Sequence, residues 1–310
     1  MHHSFLRSQA YAFCTVLLWA STYVFTKIVL ESFSVSAVAF LRCLTASLFL
    51  AAALAVTRTG IPPLRAAVPQ FLLVGLVGFA LYLPVFNKGS LALNPTTSCI
   101  VMATTPIVTA LLARLLFKEM LNVRQWLAIT LAFGGILVMT LWNGTLVVTL
   151  GIVWMLLASF LLSAHNILQR GLTPRHGSLR VTAYGFFVGA LLLLPLSPEA
   201  AAQAQAAPMT QTVLVCFLGV FPGAVAYLLW ARAITLAEKT SSVTNYMFLT
   251  PFLTLLLDYA VTGNLPAAET FAGGGIILAS LTLFAMAREK PATLPAIPQK
   301  TRSRQPGSAL

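Results

Sequence analysis

The sequence predicts an all-α membrane protein with ten transmembrane helices arranged as two inverted five-helix repeats. Three observations carry this. Of 310 residues, 58% are hydrophobic and 8% are charged, with a mean hydropathy of +0.88. A soluble globule carries about 25% charged residues, so this chain has too few polar side chains to cover a water-facing surface. Apolar runs of membrane-crossing length follow one another along the whole chain. The stretch "ALNPTTSCIVMATTPIVTALL" (92–112) returns, displaced by 145 residues, as "AEKTSSVTNYMFLTPFLTLLL" (237–257).

The apolar runs are Ala10–Leu30, Val35–Val56, Pro69–Lys88, Thr96–Phe117, Val123–Leu141, Leu150–Gln169, Val181–Leu196, Thr212–Ala231, Ser242–Val261 and Thr270–Ala287. Most reach the ~20 residues a helix needs to cross a ~30 Å hydrocarbon core. Each must be helical, because lipid offers no partner to a free backbone N–H or C=O. The first run continues into "TKIVLESF" with no small-residue cleavage site, so no cleaved signal peptide is expected. Cys14, Cys43, Cys99 and Cys216 stand singly inside helices and read as small packing residues. Residues 1–9 form a cytoplasmic N-terminus, 10–142 the first repeat and 150–288 the second. "SPEAAAQAQAAPMTQ" (197–211) reads as a flexible outer loop, and the Pro-rich, basic stretch 289–310 as a disordered cytoplasmic tail.

The net charge of +12 is explained by orientation. With both termini cytoplasmic, the inner side receives Arg7, Arg58, Arg65, Arg114, Lys118, Arg124, Arg170, Arg175, Arg180, Arg232, Lys239, Arg288, Lys290, Lys300, Arg302 and Arg304. Only Lys27, Arg42 and Lys88 of the nineteen basic residues fall toward the other side. That is the positive-inside bias, and no nucleic-acid partner is needed to account for it.

Sliding residues 78–112 by 145 gives eleven identities in thirty-five positions without a gap, among them Gly78 with Gly223, Tyr82 with Tyr227, Met102 with Met247 and Thr105-Pro106 with Thr250-Pro251. "LLWAST" (17–22) matches "LLSAHN" (161–166) more weakly, at a shift of 144. Five helices per half is an odd number, so the second half enters the membrane upside down, a plan common in secondary transporters. The charges follow the membrane side and not the repeat. Arg114, Lys118 and Arg124 face Tyr259, Gly263 and Glu269 in the alignment, while Asn87 and Asn94 face Arg232 and Lys239.

"LLWASTYVFTK" (17–27), Arg42 in "FLRCL", "TPIVTALLARLLFKEML" (105–121), Gly134-Gly135, "GVFPGAVAYLLWARAI" (219–234) and "LTPFLTLLLDYAVTGNLP" (249–266) resemble the EamA-type transporters of the drug/metabolite transporter superfamily. The resemblance covers nearly the whole chain up to about Arg288. It implies ten helices, inverted halves, a central cavity and movement of small metabolites, often export of amino acids or related compounds. One feature departs from the family. Where the family tends to place Gly-Glu after the fourth and ninth helices, this chain has Lys118-Glu119 and Gly263-Asn264.

A carrier needs polar and aromatic groups at mid-membrane, where lipid-facing positions do not tolerate them. Trp19, Thr22 and Tyr23 supply them on the first helix, with Trp19 and Tyr23 on one face. Tyr82 and Tyr227 are repeat-related and are expected to face one another across a cavity; helix packing by their rings is the competing reading. Trp230 follows Tyr227 by three residues. His165 and Asn166 lie within the sixth helix, and a histidine there either contacts the cavity or bonds a neighbouring helix. Met102, Thr105, Asn245 and Tyr246 complete the substrate-binding set. Pro106 and Pro251 offer hinges, and the threonine hydroxyls before them offer a patch for backbone the prolines free. Lys27 and Glu31 are expected to pair. Arg42 and Asp258 are candidates for charge coupling, with Glu31 or Asp258 as partner to Arg42.

The leading reading is therefore a secondary transporter in the cell (inner) membrane, with a small-molecule substrate and the lipid bilayer as its partners, compatible with a monomer or a dimer. A channel or facilitative pore is the alternative, disfavoured by the absence of a filter-like glycine motif. Catalysis is not expected: there is no HExxH or GxSxG, and His165 has no base or metal-spaced neighbours. No cofactor or metal is expected either.

Overall fold

The computed structural model of the chain describes residues 2–59, 64–142, 146–237, 243, 245–263 and 265–287. The expected tail (289–310), Asn264, and the basic residues Lys239, Arg288, Lys290, Lys300, Arg302 and Arg304 lie outside them. Every regular element among the described residues is helical. In order these are α1 (His2–Val29), α2 (Val35–Val56), α3 (Leu64–Gly75), a π-helical turn (Leu76–Leu81), α4 (Tyr82–Ala92), α5 (Pro95–Met102), α6 (Thr105–Phe117), α7 (Val123–Leu141) and α8 (Leu146–His176). They continue with α9 (Ser178–Leu192), a 3₁₀ turn (Leu194–Leu196), α10 (Ser197–Ala206), α11 (Met209–Val220), a second π turn (Phe221–Val225), α12 (Ala226–Leu236), a 3₁₀ turn (Asn245–Leu249), α13 (Thr250–Thr262) and α14 (Ala268–Met286).

Among the described residues eight rods are long and apolar enough to cross a membrane, against the ten expected, and nine if α9 and the segment Leu194–Ala206, which meet at a 53° bend, count as one span. The ninth run, Ser242–Val261, lies partly outside the described residues, which give a 3₁₀ turn (Asn245–Leu249) followed by α13 with Pro251 at its start. The stretch 197–211 is also more ordered than a flexible loop. Its Ala-rich start forms α10, with Pro198 in the first turn, where its missing N–H costs nothing. The helix is tied back by the Ser34 N–H donating to Gln203 Oε1 at 2.8 Å.

The repeat is visible in the elements themselves. Leu64–Gly75 recurs as Met209–Val220, Thr105–Phe117 as Thr250–Thr262, and Val123–Leu141 as Ala268–Met286, so starts at 64, 105 and 123 become 209, 250 and 268. Both halves carry a π turn starting at the same place, Leu76 and Phe221, just ahead of the paired tyrosines; Tyr82 follows its turn directly and Tyr227 after one residue. Both α6 and α13 end in a left-handed residue, Lys118 (φ 57°) in one half and Gly263 (φ 70°) in the other. Glycine adopts that conformation freely, whereas lysine pays a steric cost for it.

Two pairs of helices from opposite halves, α1 with α12 and α7 with α14, run antiparallel. Ser8 of α1 donates to the Ala233 carbonyl of α12 at 2.8 Å, and Thr15 to that of Ala226 at 3.5 Å. Asn122, at the start of α7, donates to the Ala287 carbonyl past the end of α14 at 2.6 Å, while Gly135 meets Gly273 midway. The exterior is apolar, as at Leu115 and Leu256, and the polar side chains Ser159, Ser163, Thr254 and Asn87 are inside. Lipid is as apolar as leucine, so close packing and interhelical hydrogen bonds of roughly 0.6–2 kcal/mol each hold such a bundle.

Two glycines are dictated by contact. A Cβ on Gly273 would meet the Met139 side chain and stand 2.5 Å from the Gly135 carbonyl oxygen. A Cβ on Gly78, in the first π turn, would run into the His165 ring. Gly273→Val is expected to cost about 1–3 kcal/mol, read as a lower melting temperature in detergent. Gly134→Ala, with nothing within 4 Å of the new atom, is expected to leave it level or slightly raised. Gly78→Ala is expected to cost a similar ~1–3 kcal/mol, and at least about 1 kcal/mol less when His165 is already alanine. Equal costs in the two backgrounds would show that the ring is not what the methyl meets.

Candidate functional site

The predicted residues divide into a central ring cluster and several that lie apart from it. Trp19 of α1 meets Tyr227 edge-on, centroids 5.9 Å apart, and Trp230 at 5.3 Å. These contacts follow from the antiparallel α1–α12 register, which sets mid-helix positions opposite one another. Tyr23, one turn on from Trp19, leans on Phe86 at 5.6 Å, and Phe86 leans on Tyr82 at 5.7 Å. The Tyr23 hydroxyl lies beside Cys99 of α5. Tyr82 and Tyr227 come close enough to interact electrostatically with one another and with Arg42. Trp19, Tyr23, Tyr82, Tyr227 and Trp230 are each only partly buried although they stand mid-helix.

Arg42 lies on α2, within electrostatic reach of Tyr82 and Tyr227. It is 6% exposed, and its Nη1 is buried without a hydrogen-bond partner among the described residues. Neither Glu31 nor Asp258 pairs with it. Glu119 pairs with Arg170 at 2.8 Å, on an exposed surface. Asp258 instead accepts from Thr96 of α5 at 3.1 Å and from Thr262 at 3.3 Å. Lys27 does not pair with Glu31 either: its Nζ donates to the Leu91 carbonyl at 2.7 Å, at the end of α4. That carbonyl lacks an intrahelical partner, so it competes well for an ammonium. Lys88 sits over the Trp154 ring, 4.6 Å from its centroid.

His165 is fully buried against the first π turn, its Nδ1 3.3 Å from the Val74 carbonyl and its ring edge-on to Phe79 at 5.2 Å. Asn166 and Asn245 are exposed. Tyr246 packs with Ala12, Ala233 and Trp230. Thr22 is buried on its own helix, 3.4 Å from the Leu18 carbonyl.

Met102 and Thr105 are buried where α5 gives way to α6, and the Thr105 hydroxyl donates to the Met102 carbonyl at 2.6 Å. Pro106 and Pro251 stand at the starts of α6 and α13, each just after a break in its helix.

Sequence reasoning missed Phe86, which links two tyrosines. Its spacing of four from Tyr82 was the available signal. It also missed Ser159 and Ser163, which bind α8 to α6: Ser159 Oγ lies 3.1 Å from Thr105 Oγ1, and Ser163 donates to the Thr105 carbonyl at 3.1 Å. A cleft of about 210 Å³ opens at the ends of α4, α7 and α14, among Ala92, Asn94, Thr97, Met139 and Glu269, and no predicted site residue lines it. Among the described residues no group of His, Cys, Asp and Glu has metal-holding geometry.

Comparison with known proteins agrees with this architecture. An uncharacterized transporter of Bacillus subtilis, YdfC, is 26% identical over 258 residues, covering 83% of this chain and 84% of that protein. A probable terminal-alkyne amino-acid exporter of Streptantibioticus cattleyicolor is 25% identical over 285 residues, covering 91% and 95%. An uncharacterized transporter of Archaeoglobus fulgidus is 29% identical over 281 residues, covering 87% and 94%. One solved crystal structure shares the fold at a TM-score of 0.61 and 17% identity, covering 92% of this chain and 100% of that one. The EamA-like transporter family profile matches residues 6–141 and again residues 149–286. With both halves matched, the chain is a multi-pass membrane protein that belongs to the EamA-like transporter family.

Proposed function

We propose that the protein is a secondary transporter that exports small metabolites, amino acids or related compounds, by alternating access. In this reading ten segments cross the cell (inner) membrane, both termini are cytoplasmic, and the two halves are inverted repeats that rock about a shared site. The observation that carries it is the contact of Trp19 with Tyr227 and Trp230, with the repeat-related Tyr82 and Tyr227 both within electrostatic reach of the buried Arg42. These residues come from both halves. A charged group such as Arg42 within a membrane span is costly, and its default reading is a functional one. The breaks before Pro106 and Pro251, at matching places in the halves, suit hinges. The name of the Streptantibioticus relative supports amino-acid-like cargo.

Flux of labelled amino acids in proteoliposomes tests the function. Trp19→Ala and Tyr227→Ala are each expected to lower flux at least about tenfold, as loss of a well-packed aromatic anchor does, while Leu115→Ala on the apolar exterior leaves it unchanged. Unchanged flux in both aromatic variants would remove the site, and non-saturating flux would favour a pore. Orientation is tested separately in a cysteine-free background. Met120→Cys is expected to label from the cytoplasm and Leu265→Cys, its counterpart in the second half, from outside. Labelling of both from one side would end the inverted-repeat reading.

A further inference from the structure

Three basic residues lie away from the cytoplasmic side, and the structure treats them differently. Lys27 has the Leu91 carbonyl and Lys88 has the Trp154 ring. Arg42 has neither: it is more deeply enclosed, and its Nη1 meets neither solvent nor a hydrogen-bond partner among the described residues. An unpaired buried cation costs several kcal/mol. Tyr82 and Tyr227 are phenols, not carboxylates, and supply no counter-ion at neutral pH. Asp258 is held by Thr96 and Thr262. A partner of negative charge is missing from the protein side of the site.

We propose that Arg42 anchors the carboxylate of the transported solute, and that this solute is an amphipathic organic acid whose apolar or aromatic body packs on the rings of Trp19, Tyr227 and Phe86. The guanidinium fork matches a carboxylate with two parallel hydrogen bonds. Trp19 packs on Tyr227 and Phe86 on Tyr82, the two tyrosines within electrostatic reach of Arg42, and these apolar ring faces suit an uncharged body. The proposal rests on the transporter reading and adds the chemical class of the cargo.

Calorimetric binding to the purified full-length protein in detergent tests it with two probes that differ in charge and little in shape, phenylacetate and phenylacetamide. Phenylacetate is expected to bind at least about tenfold tighter, the scale of a charge-assisted hydrogen bond in a desolvated site. Arg42→Gln is expected to erase that preference, and Arg42→Lys to keep part of it. Equal binding of the two probes, binding of neither at millimolar concentration, or a preference surviving in Arg42→Gln would overturn the anchor. Inorganic phosphate displacing phenylacetate at equal concentration would overturn the assignment to carboxylates. The wild-type comparison decides even if Arg42→Gln does not fold. Amino-acid flux measured in parallel separates the two readings. Flux without carboxylate preference removes the anchor alone, and preference without flux removes the transporter reading alone.

Discussion

Lipid neither donates nor accepts a hydrogen bond, and the arrangement of this chain follows from that. Many polar side chains inside the bundle find their partners on protein. Thr97 meets Thr270, Thr96 meets Asp258, Ser8 meets the Ala233 carbonyl, and Ser163 bridges two helices. These contacts join elements far apart in sequence, so the polar residues decide which helices are neighbours. Apolar residues are then free to cover the outside, which is why leucines and phenylalanines that would be a liability in water are exposed here. Arg42 Nη1 and His165 Nε2 are among the buried polar atoms that have no hydrogen-bond partner among the described residues, along with the Thr26, Ser47, Ser90 and Ser98 hydroxyls.

The helical class, most of the spans and the duplication were legible in the sequence because each depends on local composition or on one-dimensional repetition. Gly78 and Gly223, or Thr105-Pro106 and Thr250-Pro251, can be aligned by eye. The π turns could not be read this way. A single inserted backbone step leaves no mark on hydropathy, and Leu76–Leu81 is as apolar as its flanks. Pairings across space were equally hidden. Glu31 is four residues from Lys27, yet the lysine bonds a carbonyl sixty-four residues away. Local spacing favoured the acid; the end of α4, delivered by tertiary packing, won.

The candidate site was legible in part. Mid-helix position marked Trp19, Tyr82 and Tyr227, since large polar-edged rings are misplaced at that depth unless something interior uses them. The same argument selected His165, which packs against the first π turn, where the absent side chain of Gly78 leaves room for its ring. Depth therefore separates interior from exterior well, and one interior role from another poorly. Telling those apart requires knowing which helix lies opposite.

The matched π turns have a geometric consequence for the two tyrosines. One residue of an α-helix corresponds to about 100° of rotation around its axis. The extra residue in each turn therefore sets the angular offset between the segment before it and the segment after it. Tyr82 comes directly after the first turn, and Tyr227 one residue beyond the end of the second. Their bearing toward Arg42 is written into chain length as much as into side-chain identity. A helix of the same amino acids, wound regularly through residues 76–81, would carry its tyrosine on a different meridian.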